Sequence, residues 1–154
     1  MDRPLVWIFL LFPVVFVLFW SGICLLLTTV SGWRGLASRY AGRFASAERS
    51  VGMGSGRMGV VSFRNVLNVS AGPEGVELAL LRIFAIGAPP LAIPWSAVRA
   101  ASGDRLLGIM DRVKLEVEGG PSVILYGAAA RLVDDGWRTW ATEAGARQPA
   151  RIGA

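Results

Sequence analysis

The side chains best suited to chemistry are scarce in this chain, and their spacing is unhelpful. Histidine is absent. That removes the usual general base at neutral pH, the Ser-His and Cys-His nucleophile pairs, and His-ligated metal sites. Cys24 is the single cysteine, so neither an intrachain disulfide nor a Cys-rich metal site can be built. Ser62 and Ser96 have no base beside them, and the only lysine, Lys114, falls on the outer face of a strand pattern. Carboxylates remain. Asp134 and Asp135 are neighbours on a helical stretch, so their side chains diverge by about 100°. Glu116 and Glu118 alternate with Arg112 and Lys114 as a solvated stripe, and Asp104 and Asp111 are expected in or near a loop. None of these forms a two-carboxylate acid/base pair, a metal cage or an activated nucleophile. The expectation is a protein without catalytic, cofactor-binding or metal-binding residues.

One motif invites a cofactor reading. Residues 54–59, GSGRMG, match G-x-G-x-x-G. A dinucleotide site needs a buried strand before the glycines and a helix after them, so that a helix N-terminus meets the pyrophosphate. Here a basic amphipathic segment precedes and the strand-like VVSF follows, so the motif is read as a flexible glycine stretch.

The elements that carry these residues begin with a run too apolar for an ordinary soluble domain. The chain is 53% hydrophobic, with a mean hydropathy of +0.50. Residues 5–30, LVWIFLLFPVVFVLFWSGICLLLTTV, contain no charge. As a helix this run reaches about 39 Å, enough to cross a hydrocarbon core of about 30 Å once. Trp7 and Trp33 suit the two interfaces, and Pro13 predicts a kink that a membrane helix tolerates. A cleaved signal peptide fits poorly. The run exceeds the usual apolar region, Asp2 offsets Arg3, and no small-x-small cleavage site follows. Cys24 reads as a small packing residue, although a cysteine near the membrane boundary is also open to acylation.

Charge beside the helix sets the expected orientation. Six arginines (Arg34, Arg39, Arg43, Arg49, Arg57 and Arg64) stand against Glu48 alone, and the rest of the chain is balanced, so the net charge of +5 is juxtamembrane. The positive-inside rule places this flank and the following domain in the cytoplasm, with the N-terminus outside. Arg34, Arg39, Arg43 and Arg49 are also candidate contacts for anionic lipid headgroups. No nucleic-acid motif accompanies them. The preference for arginine over lysine, with abundant Gly and Ala, suggests a GC-rich bacterial genome and hence a bacterial inner membrane.

After the anchor, Trp33, Leu36, Ala37, Tyr40 and Phe44 form a short amphipathic stripe. It and the glycine stretch make a juxtamembrane segment and linker over 32–56. Short strands then follow over 58–67, 75–81, 91–98, 112–118 and 122–126, with 82–86 either continuing its predecessor or pairing back. The run RVKLEVE, with Val113, Leu115 and Val117 inward, carries the clearest alternation. From 128 to 144 the period changes to helical, with Ala129, Leu132, Val133, Trp137 and Trp140 on one face. The two tryptophans read as core anchors. The predicted divisions are 1–31 with the membrane helix, 32–56 as linker, 57–145 as domain and 146–154 as a loose tail.

The order of strands followed by one helix resembles a pleckstrin-homology-like (PH-like) barrel. The run Pro89-Pro90-Leu91-Ala92-Ile93-Pro94-Trp95-Ser96-Ala97-Val98 resembles the PPL-x-IPW-S-x-I/V signature of small uncharacterised bacterial membrane proteins. Residues 31–40, SGWRGLASRY, are similar to the SGW-x-x-LA-x-x-Y that follows the anchor in that group. The resemblance implies an N-terminal transmembrane α-helix followed by an α+β, mostly antiparallel PH-like barrel of about seven strands, capped by a C-terminal α-helix. It implies binding and assembly rather than catalysis. The basic loop between the first two strands that binds phosphoinositides in some eukaryotic members of the wider family has no counterpart here, where Gly72-Pro73-Glu74 in a comparable turn is acidic.

Two readings of the Pro-Trp run stay open. Trp95 beside bend-forming prolines is most simply a packing residue. Alternatively, Pro89, Pro90, Leu91, Pro94 and Trp95 form an edge that docks a protein partner. The functional expectation is a membrane-tethered interaction module that binds a protein partner. Its alternatives are an anionic-lipid sensor and an accessory subunit of a larger membrane complex.

Overall fold

The structure, a computed structural model, describes residues 3–147. Helix α1 (Arg3–Val30) is followed by a short helix α2 (Trp33–Tyr40). Seven strands come next: β1 (Arg49–Met58), β2 (Val61–Ala71), β3 (Gly75–Leu80), β4 (Leu91–Pro94), β5 (Val98–Leu106), β6 (Met110–Val117) and β7 (Val123–Tyr126). Helix α3 (Gly127–Arg147) ends the described chain. The strands form one antiparallel sheet in the order β4-β3-β2-β1-β7-β6-β5. The sheet curls into a half-barrel around a core that α2 and α3 complete.

Helix α1 runs unbroken through Pro13. Its hydroxyls fold back onto its own carbonyls: Ser21 to Val17 O at 2.7 Å, Thr28 to Leu25 O at 3.0 Å and Thr29 to Leu25 O at 2.7 Å. No side-chain donor of these residues is left to seek water, as an apolar solvent requires. Ser31 joins the two helices. Its hydroxyl donates to Thr28 O at 3.2 Å and accepts from the Trp33 amide at 3.3 Å.

The amphipathic stripe packs into the domain. Trp33 and Leu36 are fully buried, and the Trp33 ring meets Phe63 edge-on at 6.1 Å. The domain therefore begins at α2 and not at residue 57. The expected glycine linker is itself a strand, β1, at the centre of the sheet between β2 and β7. Its glycines are needed for packing. A Cβ on Gly56 would lie 2.8 Å from Ile124 O and 2.9 Å from Leu67 Cδ1. The missing side chains let neighbouring strands and the core close in. The register shifts twice between Val51 and Gly56, and Met53 takes a left-handed φ of 54°, so the strand is bulged and bent.

Two more expectations change. Residues 99–111 are a hairpin rather than a long loop: 99–106 belong to β5 and 110–111 begin β6 around a turn at 107–109, so Asp104 and Asp111 are strand residues beside that turn. Residues 82–86 form turns, closed by bonds such as Phe84 N to Leu81 O at 2.8 Å. The alternating strand β6 and its Gly119-Gly120-Pro121 turn to β7 stand as expected. Helix α3 covers the open end of the curl with Ala129, Ala130 and Val133 buried. The Trp137 ring meets Trp95 edge-on at 6.1 Å and lies tilted against Trp140 at 5.2 Å. Helix α3 continues past Gly145 to Arg147, and the expected loose tail falls from residue 148 outside the described residues.

Candidate functional site

Three surfaces are candidates: the junction of α1 with the sheet, the two sheet edges, and the clustered charges. At the junction, the last third of α1 lies against β2 and the 81–88 loop. Trp20 donates its indole N–H to Ile83 O at 3.0 Å and packs on Phe84 at 5.4 Å. Cys24 and Thr28 are buried there, beside a cleft of about 280 Å³ lined by Leu27, Phe63, Val66 and Leu80. The rest of the helix is bare. From Leu5 to Phe19 its large apolar side chains stand exposed, and so do Leu26 and Val30 further along. The segment Pro4–Val30 is long and apolar enough to cross a membrane.

The Pro-Trp run does not present the surface its composition allowed. Of the five residues singled out, Leu91 and Trp95 are fully buried, Pro90 and Pro94 are half-buried, and only Pro89 is exposed. The Trp95 indole donates to Gly72 O at 2.9 Å, and the Trp33 indole donates to Pro89 O at 2.9 Å. Both bonds satisfy buried polar groups, so this stretch is packed, and Leu91 and Trp95 cannot meet a partner. The β4 edge is also covered. Ala41 bridges Leu91, and Gly42 N bonds Pro90 O at 2.9 Å.

The other edge is open. Strand β5 pairs only with β6, and most of its residues are exposed. The β5–β6 turn carries Leu107 and Ile109, each 89% exposed. Leu107 has a left-handed φ of 54°, a conformation a bulky residue adopts only at a cost. Beside this hairpin lies a broad groove of about 600 Å³, reaching Met53, Arg64, Met110 and Tyr126.

Asp104, Asp111 and Asp134 are engaged by arginines. Asp104 takes a two-pronged bond from Arg112, one prong being Nε to Oδ1 at 2.8 Å. This hydrogen bond, with the adjacent positive charge, holds the Asp104 carboxyl below the ordinary aspartate value and raises Arg112 above the ordinary arginine value. Asp111 lies between Arg105, at 3.4 Å, and Arg131 of α3, at 3.2 Å. Asp134 pairs with Arg138 at 2.9 Å. The Asp104 and Asp111 pairs stitch the β5–β6 hairpin internally and to α3, while Asp134–Arg138 lies within α3. Among the described residues no group of three His, Cys, Asp or Glu side chains is placed to hold a metal.

Arg34, Arg39, Arg43 and Arg49 are all exposed. Arg39 crosses to the β6–β7 turn, where a Cβ on Gly119 would collide with its guanidinium. The structure thus brings Arg39 against the domain and leaves the other three projecting. Sequence reasoning missed the exposed hairpin tip. Its signal is the repeat in 104–112, DRLLGIMDR, where folding about Gly108 sets Asp104 opposite Arg112 and Arg105 opposite Asp111.

No family model matches the chain, and no curated protein matches it.

Proposed function

We propose that this chain is a non-enzymatic, single-pass membrane-tethered interaction module. Helix α1 would anchor it in a bacterial inner membrane with the N-terminus outside, and a cytoplasmic PH-like domain would bind a protein partner. The observation that carries the reading is the surface of α1. It is bare and apolar over 5–19, its hydroxyls are closed on themselves, and its last third is fixed to the folded domain. The strand order, with β1 joined to β7 and one C-terminal helix over the open end, supports the PH-like reading. The partner surface moves from the covered β4 edge to the open β5 edge and the Leu107–Ile109 tip, where an extended segment can add as another strand.

The test is made in the native membrane with the full chain. Resistance to alkaline carbonate extraction, with a C-terminal fluorescent fusion that glows in the cytoplasm, is expected. A photo-crosslinking residue at Ser102 on β5 is expected to give a discrete adduct, while one at Ala92 on β4 gives none. Carbonate release would remove the anchor, and adducts at neither position would remove the β5 interface.

A second reading is favoured by the unpaired arginines. Arg34, Arg43, Arg49, Arg64 and Arg82 have no carboxylate within salt-bridge distance among the described residues. They would contact anionic headgroups at the membrane surface, and salt would weaken that contact.

A further inference from the structure

We infer that the 81–88 loop is a second membrane contact, seated at the cytoplasmic headgroup boundary beside α1, so that the domain rests on the bilayer. This rests on the reading of α1 as a membrane anchor and follows from its length.

There is no linker between anchor and domain. Helix α1 ends at Val30, α2 begins at Trp33, and both residues between are fixed: Ser31 is buried and bonded to each helix, and Gly32 N bonds Thr29 O at 3.2 Å. The domain also reaches back up the helix. Its contacts start at Trp20, through the bond to Ile83 O and the ring contact with Phe84. They continue through Leu25, which lies so close to Gly87 that a Cβ there would overlap it.

The free length of helix is therefore 4–19. At about 1.5 Å per residue this is about 24 Å, whereas a hydrocarbon core of about 30 Å needs about twenty residues. Sliding the helix toward the cytoplasm to hold the domain clear of the bilayer would leave the outer part of that core unfilled and draw Arg3 into hydrocarbon. With Arg3 at the outer boundary, Trp20 and the loop bonded to it come close to the inner boundary of the hydrocarbon.

The loop has the chemistry of that depth. Ile83 is 63% exposed beside Trp20. Its carbonyl, which would lack water there, already accepts the indole N–H. Tryptophan is itself enriched at this level. Arg82 is exposed, with a stem long enough to bring its charge to the phosphates. A domain held away from the bilayer would leave the Ile83 side chain in water.

The experiment uses the full chain in lipid nanodiscs, with Cys24→Ser to clear the native thiol. A bimane probe is placed in turn at Phe12→Cys, Ile83→Cys and Ser96→Cys, and quenching by brominated phospholipids is read. Ser96 is exposed just after β4, near the Gly75↔Pro94 end of the β3–β4 ladder and away from the Leu80 end that leads into the loop. Strong quenching at Phe12, clear quenching at Ile83 and none at Ser96 are expected. Quenching at Phe12 with Ile83 as unquenched as Ser96 would overturn the seated loop and leave the anchor standing. No quenching at Phe12 would overturn the anchor, and the loop contact with it.

Discussion

The two edges of this one sheet are managed in opposite ways. Strand β4 is four residues long, ends in Pro94, and is covered by the Ala41 bridge and the bond from Gly42 to Pro90. Strand β5 is nine residues long, carries no proline and pairs on one side only. Short length, proline and covering backbone are the usual means of closing an edge. The β5 side relies on charge instead, with Arg99, Asp104 and Arg105 along it. Yet it ends in Leu107 and Ile109, which face solvent. The apolar residues of the β4 side hold the fold, whereas Leu107 and Ile109 at the β5 tip stand outside its core.

Cutting away the cover of β4 is the most severe way to test this contrast. A fragment of residues 50–154 loses Trp33 and Leu36 from the core, together with the chain that closes the edge. It is expected not to fold, giving a collapsed amide spectrum by NMR, although every strand from β2 onward is intact. A well-dispersed spectrum would show that the β4 edge needs no cover.

Single substitutions on the two sides should differ nearly as sharply. Trp95→Ala empties a fully buried site and removes the bond to Gly72. It is expected to cost about 3–5 kcal/mol in urea unfolding of the solubilised full chain. Ile109→Ser changes an exposed tip and is expected to stay within about 0.5 kcal/mol of the parent. Similar losses for the two would place Ile109 in the core of an assembly already present in solution.

This asymmetry also explains what could be read from the residues alone. Helix α1 was legible because an uncharged run of this length has few other fates. Strand β6 was legible because one face is core and the other water, and α3 because its period is helical. The packing reading of Trp95 also stands, since a large aromatic beside prolines fills space more often than it meets a partner. Strand β1 was not legible, because its glycines carry no side-chain alternation and their role lies in what approaches them. Strand β5 was missed for the reverse reason: exposed on both faces, it shows no apolar period and depends on pairing with β6. The order of the strands within the curled sheet is not legible either, since no local pattern contains it.

The backbone of the β5–β6 tip gives a smaller effect, opposite in sign. Leu107 is held at a positive φ that asparagine adopts more readily. Leu107→Asn is expected to raise stability by about 0.5–1 kcal/mol, read as a higher unfolding midpoint, while weakening any adduct captured at Ser102. A stabilised variant that keeps the adduct would assign the partner to the β5 backbone rather than to the apolar tip.

The finest distinction is electrostatic. Asp104 and Arg112 face each other across the hairpin, and the bond from Arg112 lowers the Asp104 pKa below 3.8. A depressed folded-state pKa contributes stability that is complete above the unfolded value and is lost as pH falls through the folded one. The raised pKa of Arg112 acts only near the ordinary arginine range, far above neutrality. Loosening of the hairpin is therefore expected on the acid side alone, below about pH 3.8. The contribution is small, because both side chains are solvent-accessible and such pairs are screened. The β4 edge, held by backbone bonds and buried tryptophans, should not follow this titration. A carboxyl-carbon NMR titration is expected to place the Asp104 midpoint below 3.8, with the amides of 103–112 moving alongside it and those of 91–93 unmoved. Asp104→Asn should remove the response in the hairpin. If the 91–93 amides shift with the same midpoint, the two edges are coupled through the core and cannot be treated as independent.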